Sequence, residues 1–312
     1  DPKLAAHASY FYEHKKGAEE LSDIISNLSL FERWQLLRCF LEKKQSIVFH
    51  FLHVPKTGGT TFGETLSKDK KTVTISVDAA PLTLAKQLIR LVNASPTELV
   101  LTRAHHGLAL AYDSGCAESF KFIFSAYREP KAIHISNVNM IMRRLNNALN
   151  TLPENESEQL FCKFWQKNLP SKFEYTQEFA LKLLLSSAYR REMGQVYTRF
   201  YNVSVSRWQK LIRKKQLLIL PSEQFDHVFT EVFNYENLPP RKNVSSNPLL
   251  TGMDVLDEQC SHLITTDSTI TSYLEKHLCT AKDIKKSAAT NVADLLQQVA
   301  GVDVRRRGTA GS

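Results

Sequence analysis

The sequence predicts an α/β protein, with a central parallel sheet flanked by helices in three layers. Three observations lead there. Short runs of β-branched and aromatic residues alternate with segments whose apolar residues follow helical spacing. The first of these runs, IVFHFLHV, is almost wholly apolar, as a strand buried on both faces must be. A double-glycine turn then lies directly between that run and a helix, where an open α/β sheet presents its ligand crevice.

Residues 1–45 read as an N-terminal helical segment. Leu21, Ile24, Ile25 and Leu28, then Trp34, Leu37, Phe40 and Leu41, keep helical spacing across 18–44. Ile47–Val54 is the first strand, followed by PKTGGTT (Pro55–Thr61) and a helix from Thr60 to about Ser67. Thr72–Val77 is the second strand. Pro81, which has a preset φ and no N–H to waste, opens a helix to about Val92. Glu98–Thr102 and Lys121–Tyr127 are the third and fourth strands, and a helix runs from Pro130 to Leu149. Residues 146–200 form a helical insert. Trp208–Lys215 ends a helix, Gln216–Leu220 is a late strand, and Phe225–Phe233 is helical. A Pro- and Asn-rich loop covers Leu238–Asn247, and Asp257–Leu278 is helical. The main domain therefore spans 46–285, and 286–312 is a tail ending in VRRRGTAGS.

The 312 residues are 43% hydrophobic and 23% charged, with 11 Gly and 11 Pro, which excludes collagen-like, disordered and coiled-coil classes. Lys and Arg number 40 against 32 Asp and Glu, so the formal charge of +8 points to an anionic partner without naming it. No run of eighteen apolar residues exists, and residues 1–9 do not read as a signal peptide. The five cysteines are far apart without a CxxC, so neither a zinc ribbon nor a thioredoxin motif is expected.

PKTGGTT carries the most chemistry. Gly58 and Gly59 let the backbone turn tightly and approach a ligand. Amides at a helix start attract phosphate or sulfate. Lys56 adds a full positive charge, and Thr57, Thr60 and Thr61 add hydroxyls. The pattern is not GxxxxGK[ST], because the lysine precedes the glycines. Farther on, YREPKAIHIS places Arg128 after a strand and Ser136 about two turns into the next helix. A guanidinium there can hold phosphate oxygens in a planar fork, or simply pair with Glu129.

HVPKTGGTTF (His53–Phe62) resembles the 5′-phosphosulfate loop of carbohydrate sulfotransferases, in particular the heparan sulfate 2-O and 6-O group and its bacterial relatives. Arg128-Glu129-Pro130 with Ser136 resembles that family's 3′-phosphate element, and RKNVSSNP, with Arg241 and Lys242, resembles its cofactor-covering loop. The likeness runs from about residue 47 to about 280. It implies a P-loop-like α/β fold, 3′-phosphoadenosine 5′-phosphosulfate (PAPS) as sulfuryl donor and no metal requirement. It also implies cofactor contacts from Lys56, Thr57, Gly58, Gly59, Thr60, Thr61, Arg128, Ser136, Arg241 and Lys242.

Sulfuryl transfer needs a base for the acceptor hydroxyl, and His is the commonest choice near neutral pH. TRAHHGLAL places His105 and His106 just past the third strand, with His105 favoured as the base and Lys56 as the charge stabiliser. The resemblance implies a saccharide or other hydroxyl-bearing acceptor. Arg103, Arg143, Arg144, Lys172, Arg190 and Arg191 are candidates for a basic rim, and Tyr112, Trp165 and Tyr175 for stacking on sugar rings. Nucleic acid is not an expected partner, because no RNA-binding aromatic motif occurs. The alternative reading is a nucleotide-dependent phosphotransferase with the same strand–loop–helix logic, although no Mg²⁺-holding Asp stands out. Sequons occur at Asn27, Asn93, Asn155, Asn202 and Asn243. A glycan on the cofactor-covering loop at Asn243 would be awkward, which favours the bacterial cytoplasm over the Golgi lumen.

Overall fold

The structure is a computed structural model that describes residues 1–14, 17–44, 48–58, 61, 65, 72–95, 98–105, 108–151, 156–201, 205–213, 217–226, 248–251 and 268–279. Five strands, β1 (Val48–Leu52), β2 (Thr72–Ser76), β3 (Leu99–Ala104), β4 (Phe120–Tyr127) and β5 (Leu217–Pro221), form one sheet in the order β2-β3-β1-β4-β5. Every pairing is parallel. The α/β class with a central parallel sheet flanked by helices is therefore observed.

β1 is buried along its whole length because it pairs on both edges and is covered on both faces. Side chains alternate across the sheet. Val48 and Leu52, with Val73, Ile75, Val100 and Ala104, join the large core that includes the N-terminal helices. Phe49 points to the opposite face, where it stacks on Phe122 at 5.6 Å and meets Phe124 at 5.7 Å. A register shift in β4 between Phe120 and Phe122 leaves Lys121 exposed at the strand's start.

The N-terminal region forms three helices: α1 (Pro2–His14), α2 (Ala18–Ser26) and α3 (Leu30–Lys44). The continuous helix expected over 18–44 is thus divided. Ser29 and Glu32 form a reciprocal capping box, in which the Ser29 amide donates to Glu32 Oε2 (2.7 Å) and the Glu32 amide donates to Ser29 Oγ (3.3 Å). That box starts α3 afresh. In α1, Leu4, Ala8 and Phe11 are buried at i, i+4 and i+7, and Tyr12 of the same helix donates to the Phe40 carbonyl of α3 (2.9 Å). α4 (Pro81–Asn93) has Pro81 in its first turn and buries Leu84, Ala85, Leu88 and Leu91 against α2, α3 and β2.

After α5 (Leu108–Asp113) and β4 comes the long α6 (Pro130–Asn150), which Glu129 caps by accepting from the Lys131 and Ala132 amides. The insert contributes α7 (Glu156–Lys167), α8 (Gln177–Leu185), α9 (Ser187–Met193) and α10 (Val196–Phe200). Its first three helices build a second hydrophobic cluster on α6, around Ile141, Met142, Trp165, Leu183 and Tyr189. α10 instead joins the main core through Val196, Tyr197 and Phe200. α11 (Val205–Arg213) and α12 (Ser268–Glu275) complete the described elements, and α12 packs on α10. Most of the expected helices over Thr60–Ser67 and Phe225–Phe233, the first half of the one over Asp257–Leu278, the Leu238–Asn247 loop and the 286–312 tail lie outside the described residues, while α12 falls in the second half of Asp257–Leu278. Among the described residues, no helix is long and apolar enough to cross a membrane.

Candidate functional site

The strand order reverses at β1. The chain leaves β1 toward β2 on one side, whereas β4 lies on the other and leads to β5. Such a reversal opens a crevice beyond the strands' carboxyl ends. Five connections meet there: His53–Gly58 after β1, Asp78 after β2, His105 after β3, Arg128 after β4, and Phe225 after β5.

The β1 loop is conformationally special. Lys56 has φ 65°, a left-handed backbone that a non-glycine residue rarely adopts, and Gly58 has φ 87°. A Cβ on Gly58 would lie 3.1 Å from the Phe225 ring, so both the backbone and the space require glycine. Thr57 is fully buried and donates to the Val54 carbonyl (2.8 Å), which removes its hydroxyl from the expected set of exposed donors. The Lys56 carbonyl accepts from Arg128 Nη1 (2.9 Å). The two residues singled out from separate sequence motifs are therefore in direct contact.

Positive charge accumulates here. Burial and the charges of Arg143, Arg144 and Arg128 push the Lys56 ammonium down to about 8. Glu129 is committed to capping α6 and does not neutralise Arg128. Among the described residues, no carboxylate pairs with Lys56, Arg128 or Arg143. Arg144 lies 3.9 Å from Glu158 and over the Phe161 ring. Ser136 is half-exposed on α6 in its second turn.

Beyond the ends of β2 and β3 lies an acid–imidazole pair. Asp78 Oδ2 accepts from His105 Nδ1 (2.8 Å) and from the His105 amide (3.0 Å). Burial pushes the Asp78 carboxyl up, but the hydrogen bonds from His105 outweigh it and hold the group at about 2. An ionised Asp78 only accepts, so Nδ1 carries the proton, and in the neutral imidazole the lone pair is on Nε2. The His53 ring lies 4.2 Å from that of His105, between centroids. Burial and the charges of His105, Arg103 and Lys56 push His53 down to about 3, so it is neutral near pH 7.

Asp78 is the residue that sequence reading missed. Its only signal was position, as the first acid beyond a strand's end. Of the remaining histidines, His50 is fully buried with Nδ1 on Thr102 Oγ1 (3.0 Å), and His134 is buried against the Tyr189 hydroxyl (3.1 Å). Gly59, Thr60, His106, Arg241 and Lys242 lie outside the described residues, while the Thr61 carbonyl accepts from the Thr65 hydroxyl (2.6 Å).

The expected sugar platform changes. Trp165 is 1% exposed in the insert's core, and the Tyr112 ring already faces Arg207 at 4.5 Å; Tyr175 is exposed. Arg103 donates to Ser76 Oγ (2.7 Å) near the site, whereas Arg190 and Arg191 bond locally within the insert. Among the described residues, no cluster of three His, Cys, Asp or Glu side chains is arranged to hold a metal. Compared with known proteins, the chain matches no family model, no curated sequence and no solved structure.

Proposed function

We propose that the protein is a PAPS-dependent sulfotransferase that moves a sulfuryl group to an acceptor hydroxyl, of a saccharide or glycoconjugate. The carrying observation is the presence of two devices at the carboxyl end of one sheet: the cations Lys56 and Arg128, which pair with no carboxylate among the described residues, and the Asp78-oriented His105. Their fit to a doubly anionic nucleotide is chemical. Burial and like-charged neighbours disfavour the Lys56 ammonium until an anion offsets them. Arg128, whose second terminal nitrogen is not used on Lys56, offers a fork to a phosphate.

When bound, the donor supplies the sulfuryl group and a phosphate that leaves with the bond electrons. Lys56 holds a fixed positive charge where negative charge accumulates, and the buried loop keeps that charge from being screened. Arg128 and Ser136 anchor the 3′-phosphate, and Gly58 lets the backbone come close. His105 takes the acceptor's proton at Nε2 while Asp78 keeps the proton on Nδ1 and steadies the imidazolium that forms. The charge accumulated on His105 is thereby matched by a neighbouring carboxylate.

The test is thermal unfolding with adenosine 3′,5′-bisphosphate, alongside transfer of radiolabelled sulfate from PAPS to a panel of glycans and alcohols. A large stabilisation, lost in Lys56→Ala and Arg128→Ala, is expected. Stabilisation by ATP with Mg²⁺ and none by the bisphosphate would replace this reading with a phosphotransferase.

A further inference from the structure

We infer that Tyr197 is a positioning residue for Arg128, and that the helical insert thereby sets the anion-binding end of the site. The inference rests on the reading of Arg128 as an anion ligand given above.

Arg128 occupies the gap between two regular elements. β4 pairing ends at Tyr127, opposite Pro221, and the hydrogen bonds of α6 begin at the Glu129 carbonyl, which accepts from the Ile133 amide (3.1 Å). The amide and carbonyl of Arg128 therefore belong to neither ladder, and a buried peptide group without a partner is costly. One phenol supplies both partners. The Arg128 amide donates to the Tyr197 hydroxyl (2.8 Å), and that hydroxyl donates to the Arg128 carbonyl (2.6 Å).

The phenol is itself tightly located. Tyr197 is 1% exposed, and its ring stacks on Tyr127 at 5.4 Å with planes 19° apart. The Tyr127 hydroxyl donates to Glu275 of α12. From the fixed Arg128 peptide the guanidinium reaches the Lys56 carbonyl, whose residue holds the left-handed backbone. Tyr197 thus orients both residues assigned to the anion, although it lies 69 positions from Arg128 and at the end of an insert whose other helices pack on α6. A phenylalanine would keep the ring and its stack on Tyr127 and delete both hydrogen bonds to the Arg128 peptide.

The experiment is a double-mutant cycle of Tyr197→Phe and Arg128→Met, read by binding of adenosine 3′,5′-bisphosphate and, separately, inorganic pyrophosphate. Tyr197→Phe alone is expected to weaken binding about tenfold or more, while in the Arg128→Met background it changes binding less than about twofold. Equal losses in both backgrounds, or no loss in either, overturn the inference. Binding of pyrophosphate without the nucleotide sinks the sulfotransferase reading but leaves the cycle to judge Tyr197. Binding of neither sinks both. Amide exchange at Arg128 in the wild-type protein gives a second measurement, independent of any variant's folding. Strong protection is expected, and exchange at the rate of an open loop amide overturns the inference.

Discussion

One carboxylate oxygen of Asp78 accepts both the ring Nδ1 proton and the backbone amide of His105, at 2.8 and 3.0 Å. This double contact sets the tautomer and the ring's position together. Asp78→Asn places an amide where a pure acceptor stood, and its NH₂ favours the opposite tautomer. Turnover is expected to fall about 10²–10⁴-fold, with nucleotide affinity nearly unchanged. Steady-state kinetics beside direct binding checks this, and equal losses in both would assign Asp78 to the fold alone.

Acid stability gives Asp78 a second readout. Its carboxyl is held at about 2 against an ordinary 3.8, so it contributes stability that is present above the ordinary value and lost as pH falls through about 2. The shift corresponds to about 2 kcal/mol. Urea unfolding from pH 5 toward pH 2 should show the wild type losing about that much more than Asp78→Asn.

Lys56 makes anion binding depend on pH on the alkaline side. The ligand-free ammonium titrates at about 8, and a bound anion raises that value. Affinity for adenosine 3′,5′-bisphosphate should therefore be constant below pH 7 and fall by up to about tenfold per pH unit above 8. Calorimetry between pH 6.5 and 9.5 measures it. A flat profile would mean that Lys56 does not touch the ligand.

The same lysine should weaken the ligand-free protein. Its folded pKa is below the ordinary 10.5, so stability rises as pH climbs from about 8 toward 10.5. Lys56→Met removes the buried charge and its like-charge repulsion below pH 8, where the lysine is still protonated. The ligand-free melting temperature should rise by roughly 2–4 °C while nucleotide-induced stabilisation disappears. A lower melting temperature would contradict the electrostatic account.

Gly58→Ala meets two obstacles, a φ of 87° and the Phe225 ring at 3.1 Å. A loss of about 1–2 kcal/mol is expected, together with weaker nucleotide binding. Adding Phe225→Leu relieves the crowding but not the backbone, so chemical denaturation should show partial recovery only.

The sheet was legible because each central strand is buried on both faces and reads as an apolar run. The Lys56–Arg128 contact was half legible, since each residue stood out in its own motif while their adjacency depends on β1 lying beside β4. Asp78 was not legible for the same reason. Its partner is 27 residues away and is brought near by the pairing of β2 with β3. Tyr197 left no local mark at all. Trp165, a candidate for stacking on sugar, lies in the core, and Cys162 three residues earlier shares its buried helix face. Ser29-x-x-Glu32 was a readable capping box inside what looked like one helix.

The placement of β1 has a consequence for how the molecule acquires its site. Its two neighbours come from much later in the chain: His50 lies beside Thr102, and Phe51 beside Phe124. Each pairing closes a long loop before it returns any stabilisation, which slows folding. During synthesis the Lys56 loop emerges early but has nothing to sit against until β3 and β4 have followed it. The crevice is therefore a late product of folding, and on the proposed reading a chain halted before residue 120 should have no capacity to hold a nucleotide.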